Sequence, residues 1–318
     1  MGKADTIVGV YLSDSIDLEA IYGESLRAEA GDVVLRHPSQ IQCPEEVRFA
    51  ICWLPVDDAF APYPNLQLAM SIGAGVDALM SHPGLDESVR IARVRDPHQA
   101  DLMAGFAAHE VLHHEREFDR LRRQAERATW HPLPMRAPAS RRVAILGHGT
   151  MGRAVARALA ALGFDVRVAC SRAPQAPVNG VHYETGPGAV EAAATDADYL
   201  INVLPLTAQT DNILSTALFA RLRPGAWLIQ IGRGEHLVEE DLLAALAEGS
   251  LAGASLDVFR DEPLGADHPF WSHPKLRLSP HIASDSLPEV VSQQVIESAR
   301  ALRDGGDLAL AVDRARGY

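Results

Sequence analysis

Val143-Ala144-Ile145-Leu146-Gly147-His148-Gly149-Thr150-Met151-Gly152 is the stretch on which the reading of this chain turns. The four apolar residues predict a short buried strand, and Met151, Val155, Leu159 and Leu162 mark one face of a helix that follows it. Between strand and helix, Gly147, Gly149 and Gly152 fit GxGxxG. The letters alone describe any glycine-rich turn; the strand before and the helix after make them a dinucleotide-binding turn. The first glycine permits the tight turn, the second lets backbone approach a pyrophosphate, and the third lets helix pack close to strand. Amides at the helix start then face the phosphate charge.

Working outward, Val166–Cys170 reads as the next strand, and its end sets cofactor choice. A carboxylate there binds a ribose 2′-hydroxyl and repels a 2′-phosphate. Here Cys170 is followed by Ser171 and Arg172, a hydroxyl and a guanidinium, so NADPH/NADP is preferred and NADH remains possible. Thr150, Met151, Pro205 and Ile231 are counted with the cofactor-binding residues. Further strands are predicted at 199–204, 227–231, 254–258 and 276–278, with a helix at 239–248 between two of them. Toward the N-terminus, 6–10, 33–35, 49–53 and 66–70 read as short buried strands. One long helix is predicted over 107–128, ended by the prolines of Trp130-His131-Pro132-Leu133-Pro134. The segment 288–302 is amphipathic, with Val290, Val291, Val295, Ile296, Ala299 and Leu302 available for packing. Strands alternating with helices imply parallel sheets covered on both faces, so the fold class is α/β with two doubly wound halves.

The 318 residues fit about two domains. A net charge of −13 argues against nucleic acid as a partner, although one local cation suffices for a small anionic substrate. The start, Met1-Gly2-Lys3-Ala4-Asp5, lacks the apolar region of a signal peptide, and no stretch reads as a membrane span, so a cytoplasmic protein is expected. Cys43, Cys52 and Cys170 form no CxxC pair and are read as small buried residues. Nothing in the thirteen histidines, His113-His114 included, is read as a metal site.

Three further segments carry chemistry: Gln230-Ile231-Gly232-Arg233-Gly234, Leu256-Asp257-Val258-Phe259-Arg260-Asp261-Glu262-Pro263, and Ser279-Pro280-His281. Each lies at the C-terminal end of a predicted strand, where open parallel sheets bind ligands. Taken singly, Arg233 reads as a loop charge, Glu262 as a turn carboxylate and His281 as a capped loop histidine. Together with the glycine turn they resemble the D-isomer-specific 2-hydroxyacid dehydrogenase family. The resemblance extends to Ser71-Ile72-Gly73-Ala74-Gly75-Val76-Asp77, to Trp130–Pro134, to Glu239-Glu240-Asp241-Leu242-Leu243-Ala244-Ala245-Leu246, and to the ending Val312-Asp313-Arg314-Ala315-Arg316-Gly317-Tyr318.

That resemblance implies catalytic roles for Arg233, Glu262 and His281, and reduction of a small 2-oxo acid such as glyoxylate or hydroxypyruvate. Reducing a ketone needs hydride at carbon and a proton at oxygen. His281 suits the general acid, and Glu262 would hold its ring and favour imidazolium. Arg233 can pair with the substrate carboxylate. The resemblance also implies that the amides of Gly73, Ala74 and Gly75 receive that carboxylate, and that Trp53 lines the substrate pocket; a core tryptophan is the other reading of Trp53. Asp257 is assigned to the nicotinamide carboxamide or to stabilising the site. The fold implied is a Rossmann coenzyme domain, 104–286, inserted into a flavodoxin-like substrate domain, 1–103 and 287–318, with hinge closure around the substrate. A homodimer is implied, with the 107–128 helix as its interface and Trp130 either reaching a partner subunit or packing between domains. Two alternatives stay open: an NAD-dependent dehydrogenase of another 2-hydroxy acid, and a non-catalytic NAD(P)H-sensing binding protein.

Overall fold

The computed structural model describes residues 6–314, so Met1–Asp5 and the last four residues of the family-like ending lie outside the described residues. The chain forms two compact units, one running to His98 and resuming at Asp285, the other spanning Gln99–Ser284.

The first segment runs β1 (Ile7–Ser13), α1 (Leu18–Glu29), β2 (Val33–Arg36), β3 (Val47–Trp53), β4 (Leu68–Ser71), α2 (Asp77–Met80) and β5 (Arg90–Arg93). There follow α3 (Pro97–Glu115), α4 (Phe118–Glu126), β6 (Arg142–Leu146), α5 (Thr150–Ala161), β7 (Asp165–Cys170), β8 (Val181–Thr185), α6 (Ala189–Ala194) and β9 (Tyr199–Asn202). The larger unit closes with α7 (Thr216–Phe219), β10 (Ala226–Gln230), α8 (Glu239–Glu248), β11 (Leu251–Leu256) and β12 (Leu276–Leu278), and α9 (Pro288–Arg303) belongs to the smaller one.

The smaller unit is a five-stranded sheet in the order β2-β1-β3-β4-β5, every pairing parallel. That is the flavodoxin-like order. Alternation along β3 sends Phe49 and Ile51 to one face and Ala50 and Cys52 to the other. The Phe49 face is covered by Leu18, Tyr22 and Leu26 of α1 and by Val291, Val295, Ile296, Ala299 and Leu302 of α9. Fully burying one such aliphatic side chain contributes about 1.5–3 kcal/mol, so α9 is a major part of this core. Helix α1 starts on Asp17, whose carboxylate accepts from the Ala20 amide at 2.9 Å.

The larger unit is a seven-stranded parallel sheet, β12-β11-β10-β9-β6-β7-β8, the Rossmann order with one strand added. Val143, Ile145, Val166, Val168, Ile201 and Ile229 face α3 and α5, while Ala144, Leu146, Leu200, Leu228 and Leu256 face α6, α7 and α8. Helix α8 stops at Gly249, whose φ of +82° is a left-handed turn that glycine enters without a Cβ penalty.

Several expectations need correction. The single helix over 107–128 is two helices, broken where Glu117 takes φ +50°. Asp119 after the break reaches His113 at 3.1 Å, and Phe118 packs edge-on to the same ring. Leu162 ends the α5 stripe exposed rather than buried. Cys52 is buried, but Cys43 is exposed and Cys170 half-buried, and all three are free thiols. Among the described residues no helix is long and apolar enough to cross a membrane.

Candidate active site

In the larger unit, β6 lies between β7 and β9, so the chain leaves it toward one side and returns on the other. Such a switch point opens a crevice beyond the strand ends, and the Gly147–Gly152 turn occupies it. Gly147 has φ +106°, and a Cβ on Gly152 would sit 2.0 Å from the Gly147 carbonyl oxygen. A Cβ on Gly149 would meet nothing within 4 Å, and no side chain caps α5 at that residue. An uncapped helix start facing open space fits a pyrophosphate. Thr150 is exposed and Met151 half-buried at the same end, while Ser171 and Arg172 are exposed immediately beyond β7. Pro205 is exposed, and its carbonyl accepts from Thr210 Oγ1 at 2.7 Å. The Ile231 side chain is buried in the cluster that holds Ile201 and Ile229. His148 was silent in the motif reading; its Nε2 lies 3.2 Å from the Tyr183 hydroxyl, which accepts from the Val178 amide at 2.9 Å. Burial, and then the charge of Arg153, push the His148 imidazole below its ordinary value.

The three candidate chemical residues come from loops after β10, β11 and β12 of that same sheet. His281 Nδ1 and Glu262 Oε2 are 2.8 Å apart, with side chains 31% and 28% exposed. Glu262 Oε1 accepts from the Phe259 amide at 2.9 Å. Burial raises the Glu262 carboxyl, but the hydrogen bonds from His281 and Phe259 and the charges of His281 and Arg233 outweigh it. The group is held below its ordinary value. Arg233 is thus close enough for its charge to bear on Glu262. Gly234 sits hard against the loop that carries Glu262, since a Cβ there would fall 1.8 Å from the Phe259 carbonyl carbon.

His281 holds a left-handed backbone, φ +54°, with its amide on the Asp257 carbonyl at 2.8 Å. Asp257, expected at the cofactor, is 1% exposed with both carboxylate oxygens engaged inside the chain. Oδ1 accepts from Ser279 Oγ at 2.5 Å and Ile282 N at 3.0 Å, and Oδ2 from Ala283 N at 2.8 Å. These bonds brace the loop that presents His281.

Sequence reasoning missed the polar residues beneath Arg233. Asn202 and Gln230 are register partners on β9 and β10 and, with His236, are fully buried. It also set aside any HExxH or HxxxH pair among the histidines, whereas His109-Glu110-Val111-Leu112-His113 on α3 carries both spacings. There Glu110 Oε2 accepts from Ser255 Oγ at 2.6 Å and Arg277 Nε at 2.8 Å, and His113 faces Arg277 and Asp119. Those residues tie α3 to β11 and β12.

In the smaller unit, Trp53 and Gly73 do meet: a Cβ on Gly73 would lie 3.0 Å from the indole. The Gly73 amide turns to Ser71 Oγ at 3.3 Å, and Ser71 Oγ donates to the Gly75 carbonyl at 2.7 Å. Arg93, which the sequence did not single out, donates to the Ala74 carbonyl at 3.1 Å.

Residues 108–283 match the model for the D-isomer specific 2-hydroxyacid dehydrogenase, NAD binding domain. The chain belongs to the D-isomer specific 2-hydroxyacid dehydrogenase family. Over 275 residues it is 39% identical to glyoxylate/hydroxypyruvate reductase A of Yersinia enterocolitica, covering 85% of this dehydrogenase and 87% of that relative. A reductase of the same name from Serratia proteamaculans is 40% identical over the same shares. Among solved structures, a D-isomer specific 2-hydroxyacid dehydrogenase from Xanthobacter autotrophicus Py2 in complex with NADPH and MES superposes with TM-score 0.88 at 34% identity. It spans 98% of this chain and 100% of that one. The NADPH-dependent glyoxylate/hydroxypyruvate reductase from Sinorhizobium meliloti, in complex with NADP and sulfate, gives 0.89 at 30% identity over 99% and 100%. This dehydrogenase is therefore an oxidoreductase with two parallel α/β units.

Proposed function

We propose that this dehydrogenase uses NADPH to reduce small 2-oxo acids, glyoxylate to glycolate and hydroxypyruvate to D-glycerate. The observation that carries the reading is the hydrogen-bonded His281–Glu262 pair, with the charge of Arg233 bearing on Glu262. The named relatives and the NADPH and NADP complexes support the same choice of substrate and cofactor.

The cofactor, when bound, supplies the hydride that adds to the carbonyl carbon. With Nδ1 engaged by Glu262, His281 hands its Nε2 proton to the carbonyl oxygen and then regains one from solvent. Glu262, ionised through the neutral range, stabilises the imidazolium before transfer. Arg233 pairs with the substrate carboxylate, its planar fork fixing which way the carbonyl points.

Following absorbance of the reduced cofactor with glyoxylate or hydroxypyruvate tests the reading. Consumption of NADPH faster than NADH is expected, and no consumption with any small 2-oxo acid would instead favour a nucleotide-sensing binder. In the same assay Arg172→Ala should weaken NADPH by roughly 10- to 100-fold, the equivalent of one charge-assisted hydrogen bond, and leave NADH nearly unchanged. An unaltered ratio would move 2′-phosphate recognition away from Arg172.

We also infer a homodimer in a reducing, cytoplasmic setting. The α3–α4 region and the loop after it expose Leu102, Phe118, Leu121, Met135 and Trp130, the last 98% exposed, a stripe suited to a second copy. The free thiols fit a reducing compartment. Sedimentation velocity should return twice the chain mass, and Trp130→Arg with Phe118→Arg should halve it; a monomer before mutation refutes the assignment.

A further inference from the structure

We propose that His236 is the positioning residue that sets Arg233 in place, acting through the lone pair of its Nδ1. The inference rests on the reading of Arg233 as the group that binds the substrate carboxylate.

Both main-chain polar groups of Arg233 are held by buried side chains. Its amide donates to His236 Nδ1 at 3.1 Å, and its carbonyl accepts from Gln230 Nε2 at 2.7 Å. The supports are themselves fixed. Asn202 Oδ1 accepts from the Leu204 amide at 3.2 Å, which turns Nδ2 toward Gln230 Oε1 and His236 Nδ1, each 2.8 Å away. Gln230 Oε1 also accepts from the Gly232 amide at 3.2 Å. Two donors therefore converge on His236 Nδ1, which must be unprotonated, and the ring proton sits on Nε2, 3.3 Å from the Pro205 carbonyl.

Asn202, Gln230 and His236 are each 0% exposed, so a missing partner would leave a buried donor or acceptor unmet. Gly232 explains why no side chain precedes Arg233: a Cβ there would press on Asn202 Nδ2 at 2.9 Å and His236 Nδ1 at 3.0 Å. With Gly234 wedged against Phe259 on the other side, the Arg233 peptide is clamped from both flanks. A guanidinium on a long, many-rotamer side chain gains most from a fixed root.

Stereochemistry supplies the test, because an asparagine amide can take the place of Nδ1 and a glutamine amide that of Nε2. His236→Asn is expected to keep the KM for glyoxylate and the Kd for oxamate within about threefold of the parent. His236→Gln and His236→Leu should raise both by roughly tenfold or more, the worth of about one well-placed hydrogen bond. Kd for NADPH, followed by its fluorescence, should stay within about twofold in all three. Equal effects of all three substitutions, or a parallel loss of NADPH affinity, would overturn the proposal.

Arg233→Lys is measured alongside. If it leaves oxamate binding intact, the reading of Arg233 fails and this inference falls with it. If it weakens oxamate while His236→Gln does not, the inference alone fails. Nitrogen-15 spectra of histidine-labelled parent protein, assigned by the signal absent from His236→Asn, give an answer independent of how stable the other variants are. A ring protonated on Nε2 alone is expected, and a proton on Nδ1 rules the mechanism out.

Discussion

His281→Asn is expected to lower kcat for glyoxylate reduction by about two to four orders of magnitude, the usual contribution of a positioned general acid. Asparagine is the informative replacement because it preserves most of the local structure. It is among the few residues that accept a left-handed backbone, which the φ of +54° at position 281 demands. Its amide nitrogen can keep a hydrogen bond to Glu262 in place of Nδ1, now 2.8 Å from that carboxylate. The Asp257 contacts to Ser279, Ile282 and Ala283 do not involve the imidazole, so the loop keeps its brace. What disappears is the imidazole that would pass a proton to the carbonyl oxygen. Stopped-flow reduction should show the slow chemistry, and NADPH fluorescence titration should show nearly unchanged affinity. A kcat within about tenfold of the parent would remove His281 from the role of acid.

Gly152→Ala should weaken NADPH by roughly 10- to 100-fold. The added methyl would stand 2.0 Å from the Gly147 carbonyl oxygen and 2.9 Å from its carbon, both main-chain atoms with no rotamer to escape into. Helix α5 must back away from the turn, at a cost of about 1–3 kcal/mol that falls on the phosphate cradle itself. A lowered melting temperature should accompany it. Gly149→Ala separates fold from ligand, because its methyl meets no protein atom within 4 Å and its φ of −73° suits any residue. It should melt like the parent yet still lose NADPH affinity, since the methyl enters the space read as belonging to the pyrophosphate. Undiminished NADPH binding by both variants would place the cofactor elsewhere.

Most of the architecture was legible because the central strands are apolar runs between turn residues. The two strands left unread are β5, Arg90–Arg93, and β8, Val181–Thr185, each at the edge of its sheet and each mixing charged or polar residues with apolar ones. Such edge composition guards against stray pairing and at the same time hides the strand from a search for apolar runs. The break at Glu117 has no glycine or proline to announce it; contacts of Phe118 and Asp119 with His113 accompany the turn. Arg233, Glu262 and His281 became candidates through the family resemblance, because each, taken singly at its strand end, has a plain structural reading. Asn202, Gln230 and His236 were not legible, because their meaning lies in a meeting of neighbouring strands that spacing along the chain does not encode.

The return of α9 to the first sheet has a bearing on biosynthesis. Val291, Val295, Ile296, Ala299 and Leu302 share one apolar cluster with Ile7, Leu18, Leu26 and Phe49, residues translated far earlier. A ribosome therefore delivers every strand of the Rossmann sheet before it delivers the helix that seals the flavodoxin-like one. The half of the molecule made first is the half finished last.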